Sequence, residues 1–177
     1  WLSPDPAVLG FPASLSGWQT DLALKQWCGP VKAGQFWQDF VANFISESDI
    51  QLIAGKGFNT VRVPLDYRWF TKEDFMGETS DKDCYQILDR LFKWCKSSNL
   101  YVILDMKSAP GGQSEDGGDN GYGYPWLMTG RHYQTEFIKT WTSIATRYSE
   151  EKQLLGYELV DAPLASPDYT EAYASSA

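Results

Sequence analysis

Histidine is nearly absent from this chain. His132 stands alone, which excludes a histidine-based catalytic triad and a multi-histidine metal site. It sits at an expected helix start and reads as a surface residue. Cysteine is almost as scarce, and three residues make no disulfide framework. Cys84 and Cys95 fall eleven residues apart in one expected helix, about 16 Å, so they cannot bridge each other. Pairing of either with Cys28 stays open, and buried free thiols are the expectation. Positive charge is also short: 15 Lys and Arg face 23 Asp and Glu, for a net charge of −8 and a pI near 4.6. That balance argues against nucleic-acid and anionic-membrane partners. No run of about 18 apolar residues exists, so no membrane span is expected. No Gly-x-Gly-x-x-Gly turn follows any expected strand, which counts against a dinucleotide fold, and no cofactor or metal is expected. The chain opens at Trp1-Leu2 with neither an initiator Met nor a signal peptide, as a processed protein or a fragment would.

What is plentiful is aromatic: 8 Trp, 10 Tyr and 9 Phe among 177 residues. That length suits a single domain, 1–177, with a sizeable core. Residues 1–35 mix Pro, Gly and Trp without a sustained period and read as an irregular N-terminal segment. Phe36, Phe40 and Phe44 recur at helical spacing. Ser48 with Gln51 fits a capping box for a helix carrying Ile50, Ile53 and Ala54 inward and stopping at Gly57. A strand is expected from Asn59 to Pro64. Cys84, Ile87, Leu88, Leu91, Phe92 and Cys95 then line one face of an amphipathic helix. Leu100–Met106 is a near-continuous apolar run, as a parallel strand covered on both faces requires. A long loop, 108–130, leads to a helix over His132–Ser149 and a strand over Leu154–Val160. A polar tail closes the chain at 164–177.

Strand, helix, strand, helix, strand implies a parallel sheet with right-handed crossovers. Long aromatic loops and charged residues at the strand C-termini favour a segment of a (β/α)8 barrel over a doubly wound sheet. A closed barrel needs about 250 residues, so the expected architecture is α/β, about half a barrel with three or four parallel strands and covering helices. Such a sheet has two raw edges, and a second copy or a partner chain is expected to cover them.

Three blocks occur in a telling order: Gly57-Phe-Asn-Thr-Val-Arg-Val-Pro64, Leu100-Tyr-Val-Ile-Leu-Asp-Met-Lys-Ser-Ala-Pro-Gly-Gly-Gln113 and Gly156-Tyr-Glu-Leu-Val-Asp-Ala-Pro163. Together they resemble barrel strands two, three and four of glycoside hydrolase family 5, the cellulase and β-glucanase family, over about residues 34–163. The resemblance implies an extracellular carbohydrate-active protein related to O-glycosyl hydrolases acting on β-linked glucose. A non-catalytic sugar-binding or scaffold protein on a degenerate barrel is the alternative.

The family carries Asn-Glu-Pro at the end of strand four, with Glu as general acid/base; here these positions read Asp161-Ala162-Pro163. The nucleophile strand, strand seven, has no counterpart. Lys107 stands where the family shows His, and Arg62 is retained. The candidate acid/base groups are therefore Asp161, Glu158 and Asp105. Arg62, Lys107, Asp66, Tyr67, Trp69, Tyr124 and Trp126 are expected to border or bind sugar, with Phe70 and Tyr122 beside them. Alternation puts Glu158 on the face of Ala162 but roughly 13 Å deeper. An internal ion-pair cluster of Arg62, Asp105, Lys107 and Glu158 is expected.

Overall fold

The structure is a computed structural model that describes residues 6–11, 16–71, 73, 75–76, 84–114, 117–121 and 123–164. Two helices open it, α1 (Gly17–Cys28) and α2 (Pro30–Asn43). They occupy much of the stretch whose composition suggests irregularity, because local capping outweighs composition there. Ser16 accepts from the Gln19 amide while the Gln19 side chain accepts from the Ser16 amide. Pro30 starts α2 at a position where a missing N–H costs nothing.

Helix α3 (Glu47–Gly55) follows. Its cap is Ser46 with Asp49 rather than Ser48 with Gln51: the Asp49 carboxylate accepts from the Ser46 amide at 2.8 Å and its hydroxyl at 2.7 Å. The carboxylate is the stronger acceptor, which moves the helix start two residues back.

Then come β1 (Thr60–Asp66), a 3-10 turn (Tyr67–Phe70), α4 (Cys84–Ser97) and β2 (Tyr101–Ser108). A short α5 (Trp126–Thr129), α6 (Arg131–Arg147) and β3 (Leu154–Glu158) complete it. The strands are parallel in the order β1-β2-β3. Successive right-handed crossovers in one direction place α4 and α6 on the same face.

That face holds the main core. Val63 and Leu65 of β1 and Val102, Leu104 and Met106 of β2 pack on Leu88, Leu91, Phe92 and Cys95 of α4 and on Ile144 of α6. A second core lies over the 3-10 turn, where Leu24, Ala33 and Trp37 of α1 and α2 meet Trp69, Phe75 and Cys84. Among the described residues, β1 and β3 each pair only with β2, so each leaves one edge open. Cys28, Cys84 and Cys95 are free thiols.

Candidate functional site

Opposite the helices, the sheet presents charge. Period-two alternation puts Arg62 on this face of β1 and Asp105 and Lys107 on this face of β2. The third strand reaches it through an irregularity. Val102 pairs with Leu154 but Ile103 pairs with Gly156, so Leu155 is skipped and Glu158 lands opposite Asp105. One extra residue thus turns Glu158 from the helix face to the charged face.

Continued alternation would bury Glu158 about 13 Å below position 162. Instead β3 ends at Glu158, and the chain turns across the sheet end. The Asp161 amide donates to Met106 O at 3.2 Å. Ala162 and Leu164 both adopt positive φ, 40° and 50°, a region non-glycine residues avoid. The turn carries the Asp161 carboxylate back over the sheet.

Five charged groups meet there. Arg62 donates through Nε to Glu158 at 2.6 Å and through Nη2 to Asp161 at 2.7 Å. Its Nη2 also lies 2.9 Å from Asp105. Lys107 Nζ donates to the second Asp161 oxygen. The expected cluster therefore forms, but half-open to solvent rather than internal, with the Arg62 and Glu158 side chains 45% and 40% exposed and Asp161 added as the partner of both cations.

Asp105 lies at the bottom, 0% exposed. The Arg62 approach is close but poorly aligned, and neither Asp105 oxygen accepts a well-formed hydrogen bond among the described residues. Burial pushes its pKa up to about 6; Arg62 opposes the rise, and Glu158 and Asp161 add to it. Asp161 goes the other way. The Lys107 hydrogen bond, with Arg62 behind it, holds its carboxyl below the usual range. The hydrogen bond to Glu158 raises the Arg62 pKa, so that side chain is permanently charged.

Oxygens of Asp105, Glu158 and Asp161 lie within 4.8 Å of one another, a grouping that could ligate a cation. The Arg62 guanidinium touches all three and supplies the positive charge itself.

Three residues expected at a sugar cleft are instead buried. Asp66 is fully buried and binds Arg68 Nη1 at 3.1 Å and Asn120 Nδ2 at 2.9 Å. Tyr67 and Trp69 are core residues, at 3% and 6% exposure. The 3-10 turn after β1 folds Tyr67 into the main core and Trp69 beneath α1 and α2, which sequence spacing does not reveal. Phe70 packs against both cores. Tyr122 lies outside the described residues.

Tyr124 and Trp126 remain accessible, with ring centroids 4.5 Å apart and Trp126 44% exposed. The turn that presents them needs Gly111 at φ +77°, since a Cβ there would stand 2.7 Å from the Tyr133 ring. His132 lies at the surface, 81% exposed, near Glu136.

Sequence reasoning passed over Gln113, Arg68 and Asn120. Gln113 is 1% exposed and bridges the end of β2 and the turn after β3. Arg68 and Asn120 complete the Asp66 network, and Asn120 also accepts from the Gly17 amide at the start of α1. A Gln directly after Gly-Gly and an Arg two residues beyond a strand-end Asp are the signals that were present.

The family model for cellulases of glycosyl hydrolase family 5 matches residues 12–172. Endoglucanase C of Acetivibrio thermocellus is 34% identical over 135 residues, 76% of this chain and 37% of that protein. Glucan 1,3-beta-glucosidase 2 of Candida albicans is 25% identical over 182 residues, 93% of this chain and 38% of that protein. Among solved structures, rutinosidase from Aspergillus niger aligns over 84% of this chain and 40% of its own, with a TM-score of 0.68 at 18% identity, a likeness of fold. The chain spans little more than a third of the length of these curated relatives. Three parallel strands with their covering helices are thus part of a (β/α)8 barrel.

Proposed function

The chain belongs to glycosyl hydrolase family 5, and from that footing we propose that it binds a β-linked gluco-oligosaccharide at the strand tips without cleaving it by itself. The observation that carries this reading is the Asp161 carboxylate, held ionised by Lys107 and Arg62 beside the bare methyl of Ala162. A general acid must hold a proton at the working pH, and neither a clamped carboxylate nor a methyl group does. Arg62 and Lys107 offer donors to sugar hydroxyls. Tyr124 and Trp126 offer apolar faces to sugar C–H groups.

A hydrolytic reading has two observations in its favour, the first being that Asp105 holds a proton to about pH 6, although it is fully buried. The second is that Glu158 and Asp161 oxygens lie within 4.8 Å, close to the roughly 5–5.5 Å between carboxyls of retaining glycosidases. The two cations on Asp161 weigh against it.

The test combines calorimetric titration with cellotetraose and turnover of an aryl β-glucoside. The proposal expects binding and no release of the aryl group. Turnover that disappears in Asp161→Asn and Glu158→Gln would establish the hydrolytic reading in its place. No binding at millimolar sugar would remove the proposal.

Two further expectations belong with this reading: an extracellular location, and a second copy or partner chain on the open edges of β1 and β3. Concentration-independent monomer mass in light scattering would sink the second.

A further inference from the structure

The carboxamide of Gln113 is the most fully used polar side chain near the strand tips. A primary amide offers two N–H donors and a carbonyl acceptor. Here Nε2 donates to Asp161 O at 2.8 Å and to Lys107 O at 2.9 Å. Oε1 accepts from the Ala109 amide at 2.9 Å.

The backbone of the same residue is equally engaged. Its N–H donates to Asp119 at 2.7 Å, and its carbonyl accepts from Leu164 at 2.9 Å. One residue therefore joins the backbones of Lys107 and Asp161, whose side chains form the charge pair above it. It also bonds Leu164, one of the two positive-φ residues in the 161–164 turn, and Asp161, the residue directly before the other, Ala162.

A turn with two non-glycine residues at positive φ is not the conformation the chain prefers unaided. Such backbone persists only where surrounding bonds over-determine it. We infer that Gln113 is a positioning residue that fixes the 161–164 turn and so sets the Lys107–Asp161 charge pair. Its bearing on ligand affinity rests on the sugar-binding reading; its bearing on the charge pair does not.

Two variants test this. Gln113→Met keeps the length and removes every side-chain hydrogen bond. Gln113→Glu keeps the acceptor for the Ala109 amide but turns an oxygen toward two carbonyls, and only its protonated form donates again. Carbon-13 NMR follows the Asp161 carboxyl, and nitrogen-15 NMR follows the Lys107 ammonium.

In Gln113→Met the Asp161 carboxyl should titrate about one pH unit higher than in the wild-type chain, as expected when an opposite charge moves away. In Gln113→Glu the paired Lys107 signal should be missing at pH 8 and return as the solution is acidified. The wild-type chain, run through the same pH series, controls for the faster water exchange of ammonium protons at pH 8, and a merely structural role would move signals throughout the fold rather than those of Lys107 and Asp161 alone. Cellotetraose affinity should weaken about tenfold in Gln113→Met, roughly the worth of one hydrogen bond.

The inference is overturned if Gln113→Met, folded by circular dichroism, leaves the Asp161 titration unchanged. If that variant does not fold, a wild-type Lys107 signal in Gln113→Glu at pH 8 overturns it equally. Wild-type protein that binds no cellotetraose removes the sugar reading, and the titrations then decide the role of Gln113 alone.

Discussion

Replacing Asp105 by Asn should stabilise this protein at alkaline pH. Asp105 is fully buried, and neither of its oxygens has a well-formed hydrogen bond among the described residues. Its ionised form is therefore disfavoured, and the pKa rises from 3.8 to about 6. That difference corresponds to about 3 kcal/mol against the folded state once the group is ionised. The sign follows from the direction of the shift. A folded-state pKa above the unfolded value means that the stabilising contribution is complete below pH 3.8 and disappears as pH rises through about 6. About 1.4 kcal/mol of it should vanish between pH 5 and pH 8.

Asn has nearly the shape of the protonated acid, carries no charge, and can donate to the neighbouring carboxylates of Glu158 and Asp161. Asp105→Asn should gain about 1–3 kcal/mol over the wild-type chain at pH 8 and much less at pH 5. Urea unfolding followed by tryptophan fluorescence at the two pH values measures this. The window avoids Asp161 and Asp89, whose lowered pKa values place their own contributions at more acid pH. A variant less stable than wild type at pH 8, with the slope between pH 5 and 8 intact, would refute the reasoning.

Three more outcomes are expected. Arg68→Met strands the buried Asp66 carboxylate and should cost about 3–5 kcal/mol in thermal unfolding, with the added change Asp66→Leu recovering part of the loss; a double variant no better than the single one speaks against the pair. Trp126→Ala should weaken cellotetraose binding about tenfold in calorimetry while costing only about 1–2 kcal/mol of stability, because nearly half of the residue is exposed. Ser46→Ala should destabilise by about 1 kcal/mol and Ser48→Ala by clearly less, and a larger effect at Ser48 would return the α3 cap to Ser48 and Gln51.

Much of the architecture was legible in the residues. The spacing of Cys84, Leu88, Leu91, Phe92 and Cys95 marked α4 and its buried face, and the apolar run beginning at Leu100 marked β2. In both cases local periodicity and tertiary burial agree. The strand-face rule also placed Asp105 and Lys107 together. The first 35 residues were harder, because Pro, Gly and Trp mask helices whose stability comes from a capping box and from packing on the second core.

The strand-end aromatics show the same limit more sharply. Nothing in the residue type distinguishes Trp69, folded inward by a 3-10 turn, from Trp126, left outside by the turn at Gly111. Both are Trp residues in the connection that follows a strand. Only the packing of α1 and α2 over the first separates them.

The sequence by itself determined which charges could meet, since alternation and strand order put Arg62, Asp105 and Lys107 on one side of one parallel sheet. Tertiary structure decided how they meet. The skipped Leu155 turned Glu158 toward them, and the turn after β3, bonded to Gln113, brought Asp161 between the two cations. Residue type fixes what a side chain can ionise or donate, but a pKa, a charge partner or an accessible ring is a property of distances that only the folded backbone supplies.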